Sequence, residues 1–185
     1  MRVLGVLLAI TLTLAAPAAA LAELRISDLD VFLNDHEVTV NVVVLGALPP
    51  GFQEGIQSGV PAHVRFTVEL WQYNRLWANR LVSAKTVERA IDYNVVTKEY
   101  KINAVRGETR AAYTTRDVRD AQRVLSEVRS LKLGAASQLD ATEIFFVRVF
   151  AETALRGENT FVTRMAGTAA QVERRSDYRT IQRAE

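Results

Sequence analysis

The chain has 185 residues, 49% of them hydrophobic and 24% charged, which is enough apolar material for about one domain with a buried core. Its 23 Lys and Arg against 21 Asp and Glu leave a formal net charge of +2, so there is no strong field of one sign, and nucleic acid is set aside as a partner. Cysteine is absent, which excludes a disulfide framework and a lipid-acceptor Cys after a signal and leaves the fold to its core alone.

From the N-terminus, Arg2 supplies a positive start, Val3 to Leu14 an apolar run of about a dozen residues, and "APAAALA" a small-residue site ending at Ala20 or Ala22. This pattern predicts a cleaved signal peptide over residues 1–22 and an exported, periplasmic protein. The run falls short of the roughly 20 residues of a comfortable membrane span. Left uncleaved, it would bring the domain into contact with the membrane surface. From residue 23 the rhythm is period two, the mark of strands with one buried face. Leu29, Val31 and Leu33 alternate with Asp28, Asp30 and Phe32, "NDH" turns the chain, and Val38, Val40, Val42 and Val44 continue the pattern, which predicts a hairpin. Pro49 and Pro50 then break the strand, Phe52 and Ile56 stand four apart, and Gly59 ends the segment, as in a short helix entered through proline and left through glycine.

Val64, Phe66, Val68 and Leu70 form one face of the next strand and Arg65, Thr67, Glu69, Trp71 and Tyr73 the other, with a turn near Asn74 and Arg75. Returning strands are expected over Leu81 to Ala90 and Val95 to Asn103, the second with Val96, Tyr100 and Ile102 on one side; "VRGETR" supplies a loop. A longer helix is expected from Thr114, capped together with Asp117, through Val118, Ala121, Val124, Leu125, Val128 and Leu131 to Gly134. "IFFVRVFA" is apolar on both parities, as in a central strand buried on both faces. Residues 171–185 form a charged C-terminal tail, expected to be only partly ordered, so that residues 23–170 make a single β-rich domain. The expected fold class is mainly β: an antiparallel two-layer sandwich, immunoglobulin-like in architecture, with one short and one longer helix packed on it. The paired Cys of a true immunoglobulin domain are absent, so only the architecture is meant.

The order of a signal peptide, "VTVNVVV", "SGVPAHVRFTVELW", "YNRLWANR", "VVTKEYKI", an arginine-bearing helix and "FFVRVFAE" resembles a family of exported bacterial proteins catalogued as a domain of unknown function, four-three-nine-zero. The resemblance covers Leu24 to Ala154, and the tail departs from it. These motifs are structural, so the resemblance implies an exported β-rich domain without an assigned activity. The setting of some relatives beside envelope-sensing histidine kinases implies a link to envelope signalling.

Catalytic signals are sparse. Nucleophilic or metal catalysis needs a base or several ligands converging, and the chain has two histidines. His36 sits in "NDHEV" beside Asp35 and Glu37, whose side chains point to different sides, and His63 lies on the polar parity of its strand, so only folding would bring the two together. Asp28 and Asp30 share a strand face at a spacing that acid/base enzymes use, but such pairs are more often solvated. "RGE" at Arg106 and at Arg156 lacks a phosphate-binding glycine array. No catalytic residue, metal ligand or cofactor is therefore expected. Arg116, Arg119 and Arg123, spaced i, i+3, i+7, would line one side of the helix and grip an acidic partner or anionic headgroups, although Asp117, Asp120 and Glu127 interleave opposite charge.

The leading candidate surface is "VELWQYNRLW". Trp71 and Tyr73 stand where the strand should be polar, so either a bulge turns them inward, the long helix covers them, or they form a recognition patch that Trp77 extends. The expected function is an exported, non-catalytic domain that binds an envelope protein. The rivals are a carrier of a hydrophobic ligand, which needs an apolar cavity between the sheets, and an envelope hydrolase.

Overall fold

In the computed structural model, which describes residues 23–156 and 161–180, a hairpin with a two-residue turn opens the fold; the expected signal peptide lies outside the described residues. Strands β1 (Arg25–Asn34) and β2 (Glu37–Leu45) pair antiparallel with Asn34 opposite Glu37. Between them Asp35 and His36 take φ of 49° and 62°, the two positive values that a type I′ hairpin turn requires. Val38, Val40, Val42 and Val44 are buried, as their alternation predicts. Helix α1 (Pro50–Gln57) starts with proline at its first position, buries Phe52 and Ile56, and runs out at Gly59, whose φ of 87° suits glycine. In β3 (Ala62–Gln72), Val64, Phe66, Val68 and Leu70 face the core.

The chain continues through β4 (Arg80–Asn94), β5 (Glu99–Arg106), β6 (Tyr113–Thr115), α2 (Val118–Ser126), β7 (Glu127–Ala135), a 3-10 turn (Ala136–Gln138) and β8 (Ile144–Leu155). It ends in α3 (Phe161–Met165), β9 (Ala169–Arg175) and β10 (Arg179–Thr180). The fold is mainly β with antiparallel sheets: one of three strands, ordered β1-β2-β7, and one of seven, ordered β10-β8-β3-β4-β5-β6 with β9 also paired to β8. Inward residues of both sheets and of α1 and α2 join in one core. Ser83 Oγ donates to the Leu133 carbonyl at 2.6 Å, tying β4 to β7, and buried Thr153 Oγ1 donates to the Ala47 carbonyl at 2.8 Å, fixing the loop before α1.

Several expectations need correcting. The helix expected over Thr114 to Leu131 spans only Val118–Ser126, hardly longer than α1, and its cap is Asp117, whose Oδ1 accepts from the Arg119 amide at 2.8 Å. Thr114 belongs to β6, and Val128 and Leu131 belong to β7, paired with Val42 and Val40 of β2. One residue of β2, Asn41, therefore opposes two of β7, Arg129 and Ser130, so a bulge creates the three-residue spacing that mimics a helix. The turn expected before Val95 falls on Val95–Lys98 instead, because Asn94 Oδ1 accepts from the amides of Val96 and Thr97 and stops β4 there. Val96 is thereby exposed, while Tyr100 and Ile102 are buried as expected. Part of the charged tail completes the large sheet: Gln171 to Arg175 lie in β9 beside β8, with Ala170 and Val172 packed against the core.

One side of the sandwich is fastened by a buried guanidinium. Arg89, 2% exposed, points inward from β4; its Nη2 donates to Glu108 Oε2 at 2.8 Å, and its Nη1 donates at 2.6 Å to the carbonyls of Val124 and Glu127 at the end of α2. The loop carrying Glu108 approaches so closely that a Cβ on Gly107, at φ 82°, would sit 1.8 Å from the Thr86 carbonyl oxygen.

Candidate functional site

Trp71 keeps the parity of Arg65 and Glu69, so it stands on the outer face of the large sheet. The register with β4 shifts between Leu70 and Trp71, but the register with β8 runs unbroken and no inward turn results. The cover comes from β8 and the C-terminal segment, not from α2. Trp71 stacks on Phe146 with ring centroids 6.4 Å apart, and the Arg148 guanidinium lies 4.6 Å from the Trp71 ring and 4.9 Å from that of Phe150. Glu69 Oε2 accepts from Trp71 Nε1 and from Arg148, both at 2.7 Å. Tyr73 packs on Tyr178 at 4.9 Å, and Phe146 meets the same tyrosine edge-on at 5.2 Å. Trp71 and Tyr73 are thus half-buried members of an aromatic layer.

Trp77 differs. It sits with Leu76 on the loop between β3 and β4, 80% and 83% exposed. The loop is held by side chains: Asn74 Oδ1 accepts from the amides of Leu76 and Trp77 at 3.0 and 3.2 Å, and Asn79 Oδ1 accepts from the Asn74 amide at 3.1 Å. Arg75 and Arg80 flank the pair. An Asx-type turn therefore presents two large apolar side chains to solvent in a fixed arrangement.

The end of the sandwich that carries this loop also holds a cleft of about 550 Å³ between the two sheets. Its walls come from Val31, Leu33 and Val38 of the small sheet and Leu70, Phe145 and Val147 of the large one, with Ser176 to Thr180 across its mouth. It exists because the small sheet outruns its cover: along the inward face of β1, exposure rises from 7% at Ile26 to 44% at Leu33. The free edge of β1 is met by side chains instead of a strand, with Arg174 Nη1 donating to the Ile26 and Ser27 carbonyls at 3.1 and 2.8 Å and Arg179 Nη1 to Val31 at 3.4 Å. Nothing in the local sequence marks this cleft; it is made by where β8 begins and the C-terminal segment crosses.

The arginine row is only partly formed, because α2 carries Arg119 and Arg123 four apart but starts after Arg116. Arg116 precedes α2 and pairs with Glu99 at 3.1 Å, Arg123 pairs with Asp120 one turn back, and Arg119 is exposed. Tyr113 also donates to Asp120, which with Arg123 holds that carboxyl below its usual range. The two histidines lie at opposite ends: His36 in the β1–β2 turn beside the cleft, with its carbonyl accepting from Ala136, and His63 at the far end of β3. His63 Nδ1 lies 3.5 Å from Glu88 Oε1, and Arg65 bridges Glu88 and Glu152 at 3.1 and 3.7 Å. Burial pushes the Glu88 carboxyl up, but the hydrogen bond and charge of Arg65, with His63, hold it below the usual carboxylate range. Asp28 and Asp30 are exposed on β1.

A family model described as "Domain of unknown function (DUF4390)" matches residues 22–156. No curated protein and no solved structure matches the chain.

Proposed function

We propose, for a chain that belongs to the DUF4390 family, a role as an exported, non-catalytic binding domain of the cell envelope that recognises an envelope protein through the apolar end of its sandwich. The observation that carries this reading is the fixed presentation of Leu76 and Trp77, 83% and 80% exposed, on a turn already ordered by Asn74 and Asn79. An ordered loop loses little further entropy on docking, and a central tryptophan with arginines at its rim is the composition of interface hot spots. Export is supported by the signal pattern of residues 1–22, and a place in envelope signalling by the family resemblance alone.

The test is a photoreactive amino acid at position 77 in living cells, with position 96, equally exposed on the β4–β5 turn, as control. A discrete adduct from 77 that is absent from 96 is expected. Trp77→Ala should leave urea stability within about 0.5 kcal/mol, whereas Trp71→Ala, which removes a half-buried ring, should cost about 2 kcal/mol. No adduct at 77, or the same adducts at both positions, overturns the reading. A second reading, a carrier of a hydrophobic ligand, is favoured by the cleft between the sheets.

A further inference from the structure

A second, smaller pocket borders the cleft. It is a polar pocket of about 90 Å³ that shares Val31, Ser176, Asp177 and Arg179 with the cleft and adds Leu29, Arg174 and Arg175. Arg175 is matched by Glu173 at 3.0 Å, and Asp177 offsets one more charge. Arg174 and Arg179 otherwise donate to uncharged carbonyls, so one positive charge among these groups stays unmatched. We infer that cleft and pocket together bind a single-chain anionic amphiphile, with its alkyl chain between the sheets and its carboxylate or phosphate head on Arg174 and Arg179. This rests on the carrier reading and names the ligand class.

Each half of the site asks for a different half of that molecule. The inward apolar groups of Val31 and Leu33 are only partly covered, and an alkyl chain laid between them and Leu70 and Phe145 would remove them from water. A volume of about 550 Å³ lies within the range of small-ligand sites. A purely apolar ligand would leave the guanidinium groups unanswered, and a small anion would leave the cleft wet. Guanidinium forks suit both carboxylate and phosphate oxygens, so the head is defined by its charge.

The experiment uses the delipidated full-length protein and calorimetric titration with decanoate, dodecanoate and tetradecanoate, 1-dodecanol, and lysophosphatidylglycerol. Affinity should rise by about fourfold per methylene until the cleft is full, and dodecanol should bind at least about tenfold more weakly than dodecanoate. Arg179→Glu should weaken dodecanoate by at least about tenfold with dodecanol unchanged, and Arg179→Lys should retain most of the binding. Leu33→Asp should weaken both ligands. Arg179 and Leu33 are exposed, so urea midpoints near that of the parent protein are expected to accompany these losses. The tighter of dodecanoate and lysophosphatidylglycerol identifies the source of the head. Equal affinity for dodecanol and dodecanoate, or indifference to Arg179→Glu, overturns the anionic head and leaves the carrier reading standing; binding of neither ligand removes both.

Discussion

A guanidinium inside a sandwich is tolerated only if its donors are used, and Arg89 shows what that use accomplishes. Its four hydrogen bonds join β4, the Glu108 loop and the last carbonyls of α2, three segments that meet at no other charged group of comparable burial among the described residues. Arg89→Met should cost about 3–5 kcal/mol in urea unfolding, because Glu108 and two carbonyls lose their partner in a poorly solvated place. Arg89→Lys should recover little of that, since an ammonium cannot span a carboxylate fork and two carbonyls at once. Nothing in "TVERAID" marks this role, for Arg89 falls on the same parity as Val87 and Ile91, which are buried in the core. Trp71 taught a related lesson. Its parity was readable and placed it on the outer face, but its cover came from Phe146 and Arg148, 75 and 77 positions further on, which local reading does not reach.

At the scale of elements, the sequence was most legible where a single period ran unbroken. The β1–β2 hairpin, α1, β3 and β8 follow their alternation or helical spacing closely. It was least legible in β7, where bulges opposite β2 put Val128 and Leu131 three apart and Ser130 takes φ 53°, so that a strand carried a helix's spacing. The hairpin offers the cleaner test of turn chemistry. His36 occupies the second central position of the turn at φ 62°, a conformation that L side chains adopt at some cost. His36→Gly should therefore stabilise the protein by about 0.5–1 kcal/mol in urea unfolding. A destabilisation would mean that the imidazole makes a contribution its exposed position does not reveal.

For the whole molecule, the family match stops at residue 156 while the large sheet does not. β9 pairs with β8 from Ala169 opposite Ala154 to Arg175 opposite Arg148, so a chain ending at Thr168 would leave β8 with a bare, largely apolar edge. Such a chain should lose on the order of 3 kcal/mol or more in urea unfolding and associate with rising concentration in size-exclusion chromatography. The charge of "QVERRSDYR" concealed this strand, because its inward parity holds only Ala170 and Val172 before Arg174 turns to the edge of β1. The same segment shapes the cleft, which is why no local pattern marks it. The small sheet has a further consequence, one of timing. β1 and β2 are complete by Leu45, yet their third strand begins at Glu127 and the arginines that close their edge come later still. A lone hairpin is marginal in water, so while the chain is being made, its earliest hydrophobic element waits for its latest parts. Such long-range closure is slow, and the nascent valine-rich hairpin is the stretch a chaperone would have to shield.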